Sequence, residues 1–293
     1  MRKFFNNMID KILPKDPFGN FVFIRRLTVS IVGSLTYGRY TIANKLKVEG
    51  TEHLKDLRKS NVLFLSNHQT YFADVISMYH IFGSVKWKFK NSINNPIYLL
   101  WPRARIYYVA AAETMNDGGI IPKIFSLAGA VTVKRSWRAK GETVQRGVDT
   151  DAEDKIGKAL DHGWVISFPQ GTTSPYAPIR KGTAHLIKKH NPIVIPVEID
   201  GFRRAFDKKG LFFKKRDTEL TVKFKTPLHF EENTPIEEIV ARVESAIGQK
   251  MPDGEWAKPI QEKMLAKEAE KKRKKLEQQM QSMGQRQGVK HQR

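Results

Sequence analysis

The sequence places a histidine and an aspartate six residues apart, just beyond an apolar segment. The segment Val62–Leu65 is typical of a buried strand, and His68 follows it after Ser66 and Asn67. Pockets of α/β folds open where strands end, so His68 is expected at the rim of a pocket. Its imidazole can accept a proton near neutral pH if another group orients the second ring nitrogen. Asp74 is the nearest such carboxylate, and at the start of a helix its charge is favoured by the helix N-terminus.

The same two residues also have a purely structural interpretation. A single histidine beside an apolar strand is more often a satisfied residue at the edge of a core than a catalytic base. The choice between the two interpretations depends on the rest of the chain.

Three further stretches combine strand ends with residues suited to bind a ligand. Gly129–Arg135 (GAVTVKR) is a strand that leads from a glycine to two cations. Phe168–Ser174 (FPQGTTS) is a strand end that turns through proline and glycine, which offers backbone N–H groups to a ligand. Arg180 and Lys181 then bring two cations to a helix start, a suitable place for phosphate. Val194–Gly201 is an apolar strand, and each stretch alone is also explained as an ordinary connection.

Taken in order, these stretches resemble the four blocks of the glycerolipid acyltransferase family, whose best-known members are bacterial 1-acylglycerol-3-phosphate acyltransferases. The family has an Asn-His box with a downstream Asp, a Gly-x-x-x-x-x-Arg strand, a Phe-Pro-Glu-Gly-Thr-Arg-Ser turn and a Val-Ile-Pro-Val-like strand. The matching segments here are Asn67–Asp74, Gly129–Arg135, Phe168–Ser174 and Val194–Val197. The resemblance covers about residues 48 to 230 and favours the catalytic interpretation of His68.

The resemblance implies a mechanism and a set of site residues. His68 would remove the proton of an acceptor hydroxyl, and Asp74 would orient the imidazole. The implied donor is a thioester of acyl carrier protein or coenzyme A, with no metal and no organic cofactor. Backbone N–H groups at Gly171 or near His68 are expected to stabilise the oxyanion. The residues expected to bind substrate are Asn67, Gln69, Arg135, Gln170, Gly171, Thr172, Thr173, Arg180 and Lys181.

Three departures from the family pattern concern the base and the acceptor. Five residues separate His68 from Asp74 where the family usually has four, so a short loop must absorb one more residue. Gln170 replaces the acidic residue of the turn, and Thr173 replaces its arginine. In the family those two residues are associated with the glycerol phosphate acceptor, so a phosphate clamp is missing here. Lysophosphatidate, another lysophospholipid and an amino-acid-linked lipid with a carboxylate head all remain open as acceptors.

The composition indicates an anionic partner. The 293 residues include 51 Lys and Arg against 30 Asp and Glu, a formal net charge of +21. An anionic membrane surface fits this charge best, because no recognised nucleic-acid motif accompanies it. The absence of cysteine excludes disulfides, thiolate nucleophiles and Cys-ligated metals.

The pattern of apolar segments predicts a single α/β acyltransferase domain over residues 48–250, with a mostly buried sheet flanked by helices. Residues 1–47 are predicted as a membrane-associating helical segment, since aromatic residues alternate with cations such as Arg25 and Arg26. The alternative is a helix packed on the domain through residues such as Val29. Residues 251–293, with the basic block Lys271–Lys275, are predicted as a basic helical or disordered tail.

The ends of the elements allow a more local prediction. In the last helix, Thr234, Pro235 and Glu237 fit a capping box. No stretch approaches the ~20 apolar residues of a spanning helix, and the N-terminus is a poor signal peptide. The protein is therefore expected in the cytoplasm, peripheral on the inner face of the cell membrane. The alternative to an enzyme is a non-catalytic membrane-binding protein that keeps the acyltransferase fold.

Overall fold

A computed structural model describes residues 14–103, 105–115, 119–134, 150–252 and part of 254–277. The chain divides into two compact units, Met1–Gln249 and Lys250–Arg293. In the second unit, the described residues between 258 and 277 are helical. The boundaries predicted at residues 48 and 251, and the roles predicted for the terminal segments, stay predictions.

The first unit contains a seven-stranded sheet in the order β1-β7-β6-β2-β5-β3-β4. Its strands are β1 (Lys45–Glu49), β2 (Val62–Ser66), β3 (Ile106–Ala111), β4 (Ala130–Val133), β5 (Trp164–Ser167), β6 (Ile193–Asp200) and β7 (Glu219–Phe224). The five strands from β6 to β4 are parallel, whereas β7 pairs with β6 in the antiparallel sense. The predicted α/β fold is confirmed.

Successive side chains of β2 point to opposite, buried faces of the sheet, which explains why Val62–Leu65 are all apolar. Phe64 lies in a cluster with Phe82 and Trp164 on one face of the sheet. Leu63 and Leu65 lie in a second cluster on the other face. A strand buried on both faces has no position for a polar residue until it ends, which is where His68 follows.

Helices cover both faces of this sheet. They are α1 (Val22–Thr41), α2 (Ala73–Lys86), α3 (Ala112–Met115), α4 (Ile120–Leu127), α5 (Thr150–His162), α6 (Lys181–His190), α7 (Phe202–Ala205) and α8 (Ile236–Ala246), with 3₁₀ turns at Thr51–Leu54 and Pro96–Leu100. The buried residues of α2 belong to the first cluster, and those of α5, α6 and α8 belong to the second. Among the described residues, no helix is both long and apolar enough to cross a membrane.

Helix α1 has one face on the domain and an apolar face turned outward. Val29 and Tyr40 are buried, as the packed-helix alternative predicts for Val29. Arg25 was expected to extend into a headgroup region, but this was wrong, because its side chain is 2% exposed and pairs with Asp16. Its guanidinium also lies 4.5 Å from the centre of the Tyr107 ring. Packing on β3 therefore outweighs solvation of this cation.

The capping box predicted for α8 is wrong. Pro235 occupies the N-cap position, and no side chain caps the helix. Glu237 Oε1 instead accepts a hydrogen bond from Lys181 Nζ at 2.7 Å. The side chain of Glu237 thus binds a residue of α6, distant in sequence, instead of the N-terminus of its own helix.

Candidate active site

The carboxyl ends of β2, β5 and β6 meet at one edge of the sheet, and His68 lies there. His68 Nδ1 is 2.9 Å from Asp74 Oδ2, and the imidazole is about one-eighth exposed, at 13%. Asp74 is the second residue of α2 and is fully buried. Because Nδ1 faces a carboxylate, the lone pair available to a substrate is on Nε2. The additional residue between His68 and Asp74 therefore does not prevent their contact.

Three donors besides the imidazole hold the carboxylate of Asp74. Gln69 N donates to Oδ2 at 2.6 Å, and Thr70 N donates to Oδ2 at 3.0 Å. The Thr70 hydroxyl donates to Oδ1 at 2.7 Å. A buried charge with its oxygens satisfied in this way stays fixed in position. The contribution of Thr70 was missed, although a hydroxyl four residues before a carboxylate at a helix start was a signal for it.

Phe168 fixes the other side of the imidazole. Its ring is stacked on His68, with centroids 3.9 Å apart and planes inclined by 22°. The ring comes from the first residue after β5, the strand next to β2. The sequence drew attention to this turn for its backbone and did not predict the aromatic contact.

Asn67 and Gln69 are buried and bind the backbone of β6 and of α7, the short helix that follows it. Asn67 Nδ2 donates to Ile199 O at 2.8 Å, and Asn67 Oδ1 accepts from Ile199 N at 2.8 Å. Gln69 Nε2 donates to the same carbonyl at 3.0 Å, and Gln69 Oε1 accepts from Arg203 N at 3.0 Å. Both side chains thus position residues 67–72, here called the histidine loop, relative to β6. Substrate binding by either residue stays a prediction.

A cavity of about 680 Å³ opens in front of His68. Its apolar wall comes from β3 and α3, from α2 and the two residues before it, and from the first residue after β5. That wall includes Tyr71, Phe72, Val75, Tyr108, Val109, Ala110, Met115 and Phe168. Among the described residues, Lys134, Arg180 and Lys181 also line it, against one carboxylate, Glu153. The cavity thus offers an apolar wall and an excess of cations beside the same imidazole.

Gly171 allows Arg180 to lie against the turn after β5. Gly171 has a φ of +62°, and a Cβ there would be 2.9 Å from Arg180 Nε. Arg180 Nε donates to Gln170 O at 3.2 Å. The N–H of Gly171 donates to Phe168 O at 2.9 Å, so this expected oxyanion donor is already engaged within the turn. Thr172, beside it, lines the cavity.

The two residues that depart from the family turn are placed differently from each other. Gln170 is 2% exposed and does not line the cavity; its Nε2 donates to Gln249 Oε1 at 2.8 Å. Thr173 O accepts from Arg203 Nη2 at 2.7 Å. Arg203, on α7, also reaches towards His68 O, at 3.5 Å, and was not predicted from the sequence.

The remaining predicted residues are only partly described. Arg135 lies outside the described residues, as does the basic block at 271–275 apart from Arg273. Lys181 is exposed at the start of α6. The described residues contain no cluster of three or more His, Cys, Asp or Glu that would hold a metal ion.

Comparison with known proteins identifies a family and several similar solved structures. No curated protein matches the sequence. A similar solved structure is that of the 1-acyl-sn-glycerophosphate (LPA) acyltransferase PlsC from Thermotoga maritima, with a TM-score of 0.45 and 17% identity. The match covers 76% of this chain and 77% of that one. The model of the acyltransferase family matches residues 45–200, more than half of the chain, and the site described above lies mostly within this range. The chain belongs to the acyltransferase family.

Proposed function

We propose that the protein transfers a fatty acyl group from a thioester to the hydroxyl of a lysolipid-type acceptor in membrane lipid biosynthesis. The observation that carries the proposal is the His68–Asp74 pair at a cavity with an apolar wall and a cationic lining. An apolar wall suits an acyl chain, and the cations suit an anionic headgroup or carrier.

The proposed reaction uses His68 first as a base and then as an acid. His68 Nε2 takes the proton of the acceptor hydroxyl, and the oxygen attacks the thioester carbonyl. Asp74 stabilises the imidazolium that forms, because its carboxylate lies 2.9 Å from Nδ1. When the tetrahedral intermediate collapses, the C–S bond breaks and the thiolate takes the proton from Nε2. The products are an ester and a free thiol, and no covalent acyl-enzyme, metal or organic cofactor enters the sequence.

Arg180 is one of the described cations that line the same cavity as His68. Its side chain lines the cavity and lies against Gly171, in the turn that also supplies Phe168. We assign it the binding of an anionic group of the donor or acceptor, with Lys181 beside it at the helix start. The donor is the thioester of acyl carrier protein or coenzyme A, both of which are anionic.

The outward face of α1 supports a position at an anionic membrane surface. Leu27, Ile31 and Leu35 succeed one another along this face and are 48%, 51% and 79% exposed. Apolar surface of this kind marks interaction sites, and a net charge of +21 favours an anionic one. The proposal therefore includes peripheral binding to the cytoplasmic face of the cell membrane.

Transfer assays with purified protein test this function. Thiol release and ester formation are measured with a panel of lysolipids and both thioester donors. His68→Ala is expected to lower kcat by at least about a hundredfold, the usual contribution of a general base. His162→Ala, an exposed histidine at the end of α5, serves as the matched control.

Two results would contradict the proposal. Equal inactivity of wild type and His68→Ala across all acceptors would support a non-catalytic membrane-binding protein. Full activity of His68→Ala would show that another group is the base.

A further inference from the structure

The connection between β6 and β7 carries a basic loop, residues 207–216, at the same edge of the sheet as His68. Residues 208–216 include five Lys or Arg and no Asp or Glu. Phe212 is 73% exposed, and its neighbour Phe213 is exposed as well. Aromatic rings held among cations at a surface suit the headgroup region of a membrane, where rings enter the apolar boundary and cations remain with phosphates.

The basic loop is a built turn that holds Phe212 outward. Asp207 Oδ1 accepts from Leu211 N at 2.7 Å and from Phe212 N at 2.9 Å. The backbone closes the turn, since Asp207 N donates to Phe212 O at 2.9 Å. Lys214 N donates to Ala205 O at 2.8 Å on the returning strand of the loop. These hydrogen bonds fix the backbone at Phe212, whose side chain is exposed.

Backbone hydrogen bonds join the basic loop to the loop between His68 and Asp74. Tyr71 N donates to Lys208 O at 3.1 Å, and Phe72 N donates to Lys209 O at 3.0 Å. Gly210 permits this contact, because a Cβ at its position would lie 2.6 Å from Ala73 N. The basic loop thus supports the longer connection between the base and its carboxylate.

The basic loop also contacts α1 at the end of its outward apolar face. Arg39 Nη2 donates to Gly210 O at 3.2 Å. The same guanidinium lies 5.0 Å from the centres of the Phe206 and Phe213 rings. Leu35 is one helical turn before Arg39, so the exposed apolar face of α1 and the basic loop adjoin.

We propose that the basic loop is a second contact site for an anionic bilayer, with Phe212 in the headgroup region and its five cations facing lipid phosphates. The adjoining apolar face of α1 favours a bilayer over an acidic protein as the occupant. The inference rests on the proposed function for its role in catalysis. Backbone hydrogen bonds join this membrane contact to the loop between His68 and Asp74. They therefore hold the proposed base next to the membrane surface in which the acceptor lies.

Vesicle flotation tests this contact with two charge-matched variants. Lys214→Gln/Lys215→Gln removes two cations of the basic loop, whose side chains are exposed. Lys55→Gln/Lys59→Gln removes two exposed cations near the opposite end of β2. On vesicles of phosphatidylglycerol and phosphatidylcholine, the loop variant is expected to bind about thirtyfold more weakly than wild type, and the control less than about threefold.

The ring is tested separately by Phe212→Ser. At about 1 M salt, charges are screened beyond about 3 Å, and this variant is expected to lower the remaining binding by about tenfold. Thermal denaturation should be unchanged, since the ring is exposed and the turn is closed by backbone groups.

The outcomes separate this inference from the proposed function. Equal vesicle binding by the loop variant and the control variant would overturn the inference. The inference would also be overturned if the loop variant bound vesicles as well as wild type but bound acyl carrier protein more weakly. The basic loop would then be a protein-docking site. Failure of the proposed function would appear instead as absent turnover of wild type on a soluble short-chain acceptor, a measurement that does not depend on vesicles.

Discussion

Replacing Asp74 by asparagine separates the charge of this carboxylate from its hydrogen bonds. Oδ2 accepts from the backbone amides of Gln69 and Thr70 at 2.6 and 3.0 Å, besides His68 Nδ1 at 2.9 Å. An amide NH₂ cannot accept hydrogen bonds from these three N–H donors. The side-chain oxygen of the asparagine therefore takes the position of Oδ2. Its NH₂ then faces the Thr70 hydroxyl, which can accept. His68 therefore keeps its proton on Nδ1 and its lone pair on Nε2.

Asp74→Asn thus removes the charge that stabilises the imidazolium and, of the hydrogen bonds, only the one from Thr70 N to Oδ1 at 3.1 Å, since Thr70 N keeps its bond to the other oxygen. For unit charges about 4 Å apart near a protein surface, this attraction is worth roughly 4 kcal/mol. That energy corresponds to a decrease in kcat of about a thousandfold. Asp74→Ala leaves the buried amides of Gln69 and Thr70 without an acceptor as well, at about 1–3 kcal/mol of stability each. We expect Asp74→Asn to lower kcat with little change in Tm. Asp74→Ala is expected to lower both kcat and Tm.

The assay is thiol release at saturating donor and acceptor, together with thermal denaturation of each variant. Asp56→Asn, at an exposed carboxylate before β2, controls for the change of one charge. If Asp74→Asn retained more than about a tenth of the wild-type kcat, the charge of Asp74 would not support the imidazolium. A large fall in the Tm of the asparagine variant would refute the assignment of its hydrogen bonds.

Three further predictions concern the stacked ring of Phe168, the buried His80 and the outward face of α1. Phe168→Leu should lower kcat about tenfold in the thiol assay, because leucine cannot hold the stacked His68 ring in place. Burial lowers the pKa of His80 to about 3, so only the unfolded chain gains a proton as pH falls below its usual 6.5. Urea titrations should therefore show about 2 kcal/mol less stability for wild type at about pH 5 than at neutral pH, a loss that His80→Gln largely removes. Leu27→Ser/Leu35→Ser should lower vesicle binding by about tenfold at unchanged Tm, measured by flotation.

The sequence predicted what local patterns determine. The strand at Val62 was predicted because it is a short apolar run between polar residues, and the strand at Ala130–Val133 because its short run lies between a glycine and two cations. His68 and Asp74 were paired because six residues and a helix start bring them together, and the structure places them in contact. Each of these predictions depends on neighbours within a few residues.

The failures share one physical cause, which is a partner far away in the chain. The burial of Arg25 depends on Asp16 and on the Tyr107 ring, which no periodicity of α1 reveals. The contact of Asn67 is of the same kind, since its amide binds the backbone of Ile199, 132 residues away in the chain, while its role at the substrate stays a prediction. The support that the basic loop gives to the histidine loop runs through backbone carbonyls, which carry no sequence signal.

The two departures in the turn after β5 also have structural reasons. Gln170 Nε2 donates to Gln249 Oε1 and to Ala177 O, so a glutamate here would bring a buried charge against two acceptors. The glutamine is therefore dictated by its buried partners, independently of the acceptor lipid. At Thr173 the cation of the family turn is lost, but the guanidinium of Arg203 reaches the carbonyls of Thr173 and His68 from α7. A positive charge is thus kept next to the backbone of His68 on a different element, while the described cations that line the cavity itself are Lys134, Arg180 and Lys181.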